Sequence, residues 1–222
     1  MIDIYHCVSA RSLRPVWMCE EIGLPYRLHM LPFPPRVLKK EYLATNPLGT
    51  IPYLVDGETT MTESSAMCQY LAARYGRGEW DLSPEHPQFG HYLNALHFGE
   101  ATLTFPQTLL LRYGQFEPPE RRQPQVVEDY ARWFLSRLKN LSHFLRDQPY
   151  VCGERFTAAD VSIGYALLLS TFLDLEPSWT QDVRAYWARL TSRPALQRAL
   201  ARENAAAIEQ GVDPIPAPLR KT

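Results

Sequence analysis

A proline stands where a strand begins. In Thr50-Ile51-Pro52-Tyr53-Leu54 the residues around Pro52 favour extended chain, but Pro52 has no backbone N–H and cannot lie inside a central ladder. The stretch from Pro47 to Met67 therefore reads as a loop entering a strand, a turn at Asp56-Gly57, a second short strand, and a helix opened by Glu63-Ser64. Pro52 leaves Ile51 with main-chain groups that a peptide-like ligand can pair with as an added strand, and a cis Ile51-Pro52 bond would turn the chain sharply and expose them. Glu63-Ser64-Ser65 place unpaired N–H groups and hydroxyls at a helix N-terminus, where the dipole favours an anion. Glu63-Ser64 also reads as an ordinary helix start. Together the pieces ask for a ligand with a carboxylate and, close to it, peptide-like groups.

Around that stretch strand and helix periods take turns. Ile2 to His6 alternates as a strand, Leu13, Val16-Trp17, Cys19 and Ile22 recur as a helix ended by Gly23 and Pro25, and Tyr26 to Leu31 alternates again. Val37 to Ala44 reads as a short helix before the Asn46-Pro47 turn. The order strand, helix, strand, helix, strand, strand, helix predicts a small α/β layer of the thioredoxin kind over residues 1–78. Turn residues from Gly76 to Pro87 mark a boundary, and residues 86–210 read as an all-helical bundle. Within it Phe89 to Leu103 is helical and Pro106 should kink or interrupt the run, Val126 to Leu145 gives an amphipathic helix, and Ala158 to Leu173 is apolar nearly all round. Thr157 and Asp160 form the start of that buried helix as a capping pair and carry no chemistry. Further helices are expected near Gln181 to Leu190 and Ala195 to Ile208, and residues 211–222, with three prolines, form an extended tail.

Composition excludes several partners. The 222-residue chain has a net charge of −1 and no basic cluster beyond Arg220-Lys221, which argues against nucleic acid and anionic membranes. The first residues lack a basic region and a long apolar run, and the longest apolar segment carries Asp160 and falls short of the roughly 20 residues that span a bilayer. A soluble, cytoplasmic protein is expected. Four scattered cysteines, Cys7, Cys19, Cys68 and Cys152, show no C-x-x-C spacing, and His97 with Glu100 lacks a second ligand pair, so no metal is expected.

The pattern Asn46-Pro47-Leu48-Gly49-Thr50-Ile51-Pro52, followed by Thr62-Glu63-Ser64-Ser65-Ala66, resembles the glutathione-binding half of the glutathione transferase family. The Thr157-x-x-Asp160 start resembles that family's second domain. The resemblance implies a cis proline at Pro52, main-chain bonds from Ile51 to the cysteinyl part of glutathione with Thr50 beside it, and the γ-glutamyl end held by Glu63 and Ser64. It also implies a symmetric homodimer, for which the residues themselves give no signal, and a detoxifying transferase with glutathione as co-substrate.

Catalysis by such an enzyme needs a thiolate, and lowering a thiol pKa of about 8.5 by two units takes about 2.7 kcal/mol of preferential anion stabilisation. One or two donors at a helix N-terminus supply that order of energy. The loop Cys7-Val8-Ser9-Ala10-Arg11-Ser12-Leu13-Arg14-Pro15 holds them: Ser12 or Ser9 as the hydroxyl donor, with Arg11 adding charge. Ser12 also reads as a plain N-cap. Family cysteines of this loop correspond to Arg11 here, which argues against mixed-disulfide chemistry. Tyr5 and Cys7 are weaker candidates, and Lys39 and Lys40 fit either a glycyl carboxylate or a solvated face. Phe105, Leu109 and Tyr113, along with Phe98 and Phe116, would line a site for a small hydrophobic electrophile. Ether cleavage, dehalogenation, isomerisation, peroxide reduction and a non-catalytic interaction module are the alternatives.

Overall fold

A computed structural model describes residues 1–145 and 148–220. Their contacts form two compact units, 1–80 together with 192–220, and 81–191. In the first unit β1 (Ile2–His6), α1 (Leu13–Ile22), β2 (Tyr26–Met30), α2 (Pro35–Leu38), β3 (Tyr53–Asp56), β4 (Thr59–Met61) and α3 (Ser64–Tyr75) follow in order. The four strands form one sheet in the order β2-β1-β3-β4, with β1 parallel to β2 and antiparallel to β3. This is the thioredoxin-like arrangement that the alternation of strand and helix predicts. Along β1 the period of two sends Ile2, Ile4 and His6 into the core and Tyr5 to the other face, where its ring stacks on His29 at 4.6 Å. Gly23, in the left-handed conformation, ends α1.

One expected element divides. Val37 to Ala44 is not a single helix: α2 stops at Leu38 and a separate 3-10 turn runs Lys40–Ala44, because Lys39 leaves helical geometry at φ −142° and ψ 72°.

The second unit is helical throughout, with α4 (Phe89–His97), α5 (Phe105–Leu111), α6 (Pro124–Leu138), α7 (Leu141–Phe144), α8 (Ala158–Thr171) and α9 (Gln181–Thr191). Pro106 does not break the chain between α4 and α5. It has no N–H for Thr102, and the run widens into a π-helical turn over Phe98–Thr104 ahead of it. The amphipathic helix expected to reach Leu145 ends at Leu138, with Asn140 starting the short α7. All thirteen residues of α8 from Ala158 to Ser170 are buried. Its capping box forms: Asp160 Oδ2 accepts from Thr157 N at 2.8 Å, while Oδ1 accepts from Val151 N at 3.0 Å and Tyr186 OH at 2.7 Å.

The last helix, α10 (Pro194–Glu209), was expected in the helical domain of residues 86–210 but packs on α1 within the first unit. An apolar face of Leu196, Ala199 and Ala206 is buried there, and ion pairs flank it. Arg193 makes a fork to Glu21 at 2.6 and 2.7 Å, and Arg198 bonds Glu20 at 2.9 Å. Gln210 completes it, accepting from Met30 N at 2.8 Å and donating to Leu28 O at 2.9 Å, so its amide occupies hydrogen-bonding groups of the edge strand β2. Residues 211–220 include a 3-10 turn at Ala217–Leu219, with Arg220 Nε bonded to Ile215 O, while the end of the expected tail, 221–222, lies outside the described residues. No helix among the described residues is long and apolar enough to cross a membrane.

A close approach in the second unit lies at Gly99, where a Cβ would come within 2.5 Å of Ser162 Oγ and 2.6 Å of the Ser162 carbonyl carbon. Gly99→Ala should therefore lower the free energy of unfolding by about 1–3 kcal/mol. Urea denaturation followed by circular dichroism reads this directly, and an unchanged midpoint would show that the crossing yields.

Candidate glutathione site

The Ile51-Pro52 peptide is cis. Just before it, the Thr50 carbonyl accepts from Tyr42 OH at 2.7 Å and Asn46 Nδ2 at 2.9 Å. Burial pushes the Tyr42 phenol up to about 12, so it stays protonated and remains a donor. Asn46 also accepts from Leu48 N through Oδ1, closing a side-chain turn, and Gly49 takes φ +61°. These bonds fix the loop from below and spend the Thr50 acceptor. Ile51 packs its side chain against Cys7, Leu31 and Tyr42, while its main-chain N–H and C=O have no partner among the described residues.

Antiparallel pairing of β3 with β4, Leu54 opposite Met61 and Asp56 opposite Thr59, returns the chain to the same end of the hairpin. Glu63 and Ser64 thus start α3 at the end where Ile51 and Pro52 lie. Glu63, in extended backbone, is exposed, and Ser64 is buried. The fully buried Arg14 donates from Nη1 to Ser64 Oγ at 3.0 Å, which leaves the Ser64 hydroxyl hydrogen to seek another acceptor. The first N–H groups of α3 and a guanidinium beneath them make this end electropositive.

The loop between β1 and α1 differs from expectation in its details. Ser12 occupies the N-cap position of α1 but does not cap it with its side chain. It is fully buried, with Oγ 3.3 Å from Cys7 N and 3.5 Å from Cys7 O. Ser9 stands at φ +50°, a conformation that costs a non-glycine residue about 1 kcal/mol or more. Its N–H and its hydroxyl both go to Glu203 of α10, at 2.9 and 2.8 Å, and His6 Nε2 lies 2.7 Å from the same carboxylate. The two serine hydroxyls are therefore engaged inside the protein, and Arg11 between them in sequence is partly exposed. Cys7 is buried, and burial pushes its thiol up to about 12, which removes it as a nucleophile at neutral pH. Cys19, Cys68 and Cys152 are likewise buried and free. No group of three or more His, Cys, Asp or Glu among the described residues is placed to hold a metal ion.

In the second unit Phe105 and Leu109 of α5 and Tyr113 of the following π-helical turn share one face at i, i+4 and i+8. Phe105 is 53% exposed and the other two partly so, while Pro106, Gln107, Leu110 and Leu111 take the buried side. Phe98 packs edge-on against Phe144 instead of joining that strip.

Sequence reasoning missed Glu203, His6 and Arg14. Glu203 shares the buried face of α10 with Leu196, Ala199 and Ala206, and His6 continues the Ile2-Ile4 register. A charged or ionisable residue at an apolar position of a regular pattern was the available signal.

These elements define a thioredoxin-like domain followed by a predominantly helical part. Residues 4–80 match the family described as glutathione S-transferase, N-terminal domain. Glutathione S-transferase D7 of Drosophila melanogaster is 30% identical over 209 residues, covering 83% of this chain and 89% of that protein. Glutathione S-transferase 3 of Schizosaccharomyces pombe is 24% identical over 212 residues, covering 90% and 86%. The chain belongs to the glutathione S-transferase family. Its fold agrees with that of the sphingomonad glutathione S-transferase complexed with glutathione, at TM-score 0.78 and 21% identity, covering 90% of this chain and 98% of that one. Glutathione transferase URE2P8 from Phanerochaete chrysosporium, crystallised with oxidized glutathione, gives TM-score 0.80 at 22% identity, covering 90% and 94%.

Gly49 allows the loop before Ile51 to close. A Cβ there would meet Arg36 Cβ and Leu43 Cδ2 at 2.8 Å each, and the residue's φ is left-handed. Gly49→Ala should cost about 1–3 kcal/mol in stability and weaken glutathione binding by displacing Ile51. Thermal unfolding together with calorimetric titration checks both, and a variant that keeps wild-type affinity would separate Gly49 from the site.

Proposed function

We propose that this protein is a glutathione transferase whose first unit grips glutathione by main chain. The observation that carries the reading is the unpartnered Ile51 main chain at the same hairpin end as the opening of α3. Ile51 N–H and C=O pair with the cysteinyl residue as an added strand would, next to Thr50 and Pro52. The γ-glutamyl carboxylate meets the first turn of α3 and the Ser64 hydroxyl, and its ammonium meets the Glu63 carboxylate. An interaction module without glutathione would have no use for an open main chain beside an electropositive helix end.

Sulfur then faces the loop from Ser9 to Ser12. The hydroxyl of Ser9 is given to Glu203 and that of Ser12 is held at Cys7, so we assign the anion's charge partner to Arg11 and the start of α1, with Ser9 and Ser12 shaping the loop. Proximity supplies the rest, once a small hydrophobic electrophile is present for thiolate attack on carbon. The exposed strip of Phe105, Leu109 and Tyr113 is the apolar surface of the second unit assigned to that electrophile. A cytoplasmic homodimer in detoxification is the setting that the family resemblance implies. Ether cleavage, dehalogenation, isomerisation and peroxide reduction use the same thiolate, and product analysis with a substrate panel separates them.

Ultraviolet titration of the bound thiol tests the activation. It should ionise about two units below free glutathione in the wild type, and Arg11→Gln should return about one unit of that, worth about 1.4 kcal/mol. Glu63→Ala should weaken glutathione binding about tenfold without moving the thiol titration. If Ser9→Ala or Ser12→Ala raises the titration more than Arg11→Gln does, a hydroxyl and not the guanidinium carries the activation.

A further inference from the structure

A carboxylate lies where the packing pattern of α10 asks for an apolar residue. Glu203 is only 3% exposed and shares its face with Leu196, Ala199 and Ala206. Burying an ionised carboxylate is unfavourable unless donors replace its water. Here three donors do so, and two come from one residue: Ser9 N at 2.9 Å and Ser9 Oγ at 2.8 Å, with His6 Nε2 at 2.7 Å as the third. Ser9 needs that hold, because φ +50° is a conformation a serine leaves readily. Two residues beyond Ser9 comes Arg11, and Leu13 begins α1. The helix carrying Glu203 is itself tied down on both sides, through Arg198 to Glu20 and Gln210 to β2.

We infer that Glu203 is a positioning residue for sulfur activation: its carboxylate holds the Ser9 turn in the one shape that presents Arg11 and the first turn of α1 to the glutathione sulfur. The inference rests on the proposed glutathione site and adds to it a residue from the far end of the chain. Glu203 touches neither glutathione nor the electrophile and acts through Ser9. A purely structural Glu203 would set stability and nothing else, and a positioning Glu203 sets the sulfur's ionisation as well. The grip at Ile51, Glu63 and Ser64 lies on other segments, so glutathione affinity should be left nearly alone.

The experiment is the thiol titration of bound glutathione in the full chain carrying Glu203→Gln. The amide keeps the shape and loses the second acceptor for Ser9. The bound thiol should ionise about one unit closer to its free value, with kcat at neutral pH down about tenfold and recovering at high pH, and glutathione Kd within about twofold of wild type. Ser9→Gly added to Glu203→Gln should restore much of the shift, since glycine takes φ +50° unaided. Should Glu203→Gln fail to fold, Glu203→Asp keeps the charge but shortens the reach to Ser9 by one methylene, and the same direction is expected. A folded Glu203 variant with an unshifted thiol titration overturns the inference while the glutathione site stands. A wild-type protein that leaves the thiol at its free value overturns both.

Discussion

A peptide held by main chain needs a backbone that has been kept from its own partners. That constraint organises the first unit. Pro52 has no N–H to offer and the ladder of β3 starts at Tyr53, short of Ile51; the hairpin to β4 supplies the strand's other edge, and Tyr42 and Asn46 together saturate the Thr50 carbonyl. An unpaired N–H and C=O are unfavourable in a protein interior, so Ile51 can stay open only where it meets water or a ligand. Its side chain, packed against Cys7 and Tyr42, anchors the residue from behind.

The charged groups of the first unit are arranged by depth. Arg14 and Glu203 are both buried, yet each is satisfied through a serine: Ser64 for Arg14 and Ser9 for Glu203. Each serine is thereby fixed in orientation by a charge it covers. Glu63 and Arg11 lie nearer the surface, where side chains can rearrange around an incoming molecule. Buried charges set the geometry, and in the proposed site the exposed ones meet the ligand.

How legible this was in the sequence depended on the range of the interaction. Ile51-Pro52, Asp56-Gly57, Glu63-Ser64 and Thr157-x-x-Asp160 are local signals, written in a few adjacent residues, and the structure shows a turn, a helix start or a cap at each. The all-apolar run of α8 was legible for the same reason: burial on every side leaves no period to misread. Lys39 was opaque, since one residue leaving helical geometry divides a segment whose composition favours helix throughout. The direction of the serine hydroxyls was not legible, because position in a loop does not say where a hydroxyl points; Ser12 turns back to Cys7 and Ser9 to a carboxylate 194 residues away. The placement of α10 was invisible to patterns of period, which show that a helix has a buried face and not which surface buries it.

Gln210 gives the first unit a dependence on synthesis order. Its amide supplies two of the hydrogen bonds that a fifth strand would otherwise make at the edge of β2, and α10 packs on α1. While the ribosome is still making residues 81–191, the nascent sheet stands with that edge open, and open edges recruit other strands. The sheet of residues 1–80 thus emerges before the side chain that covers its edge, and the helical unit is translated within that interval.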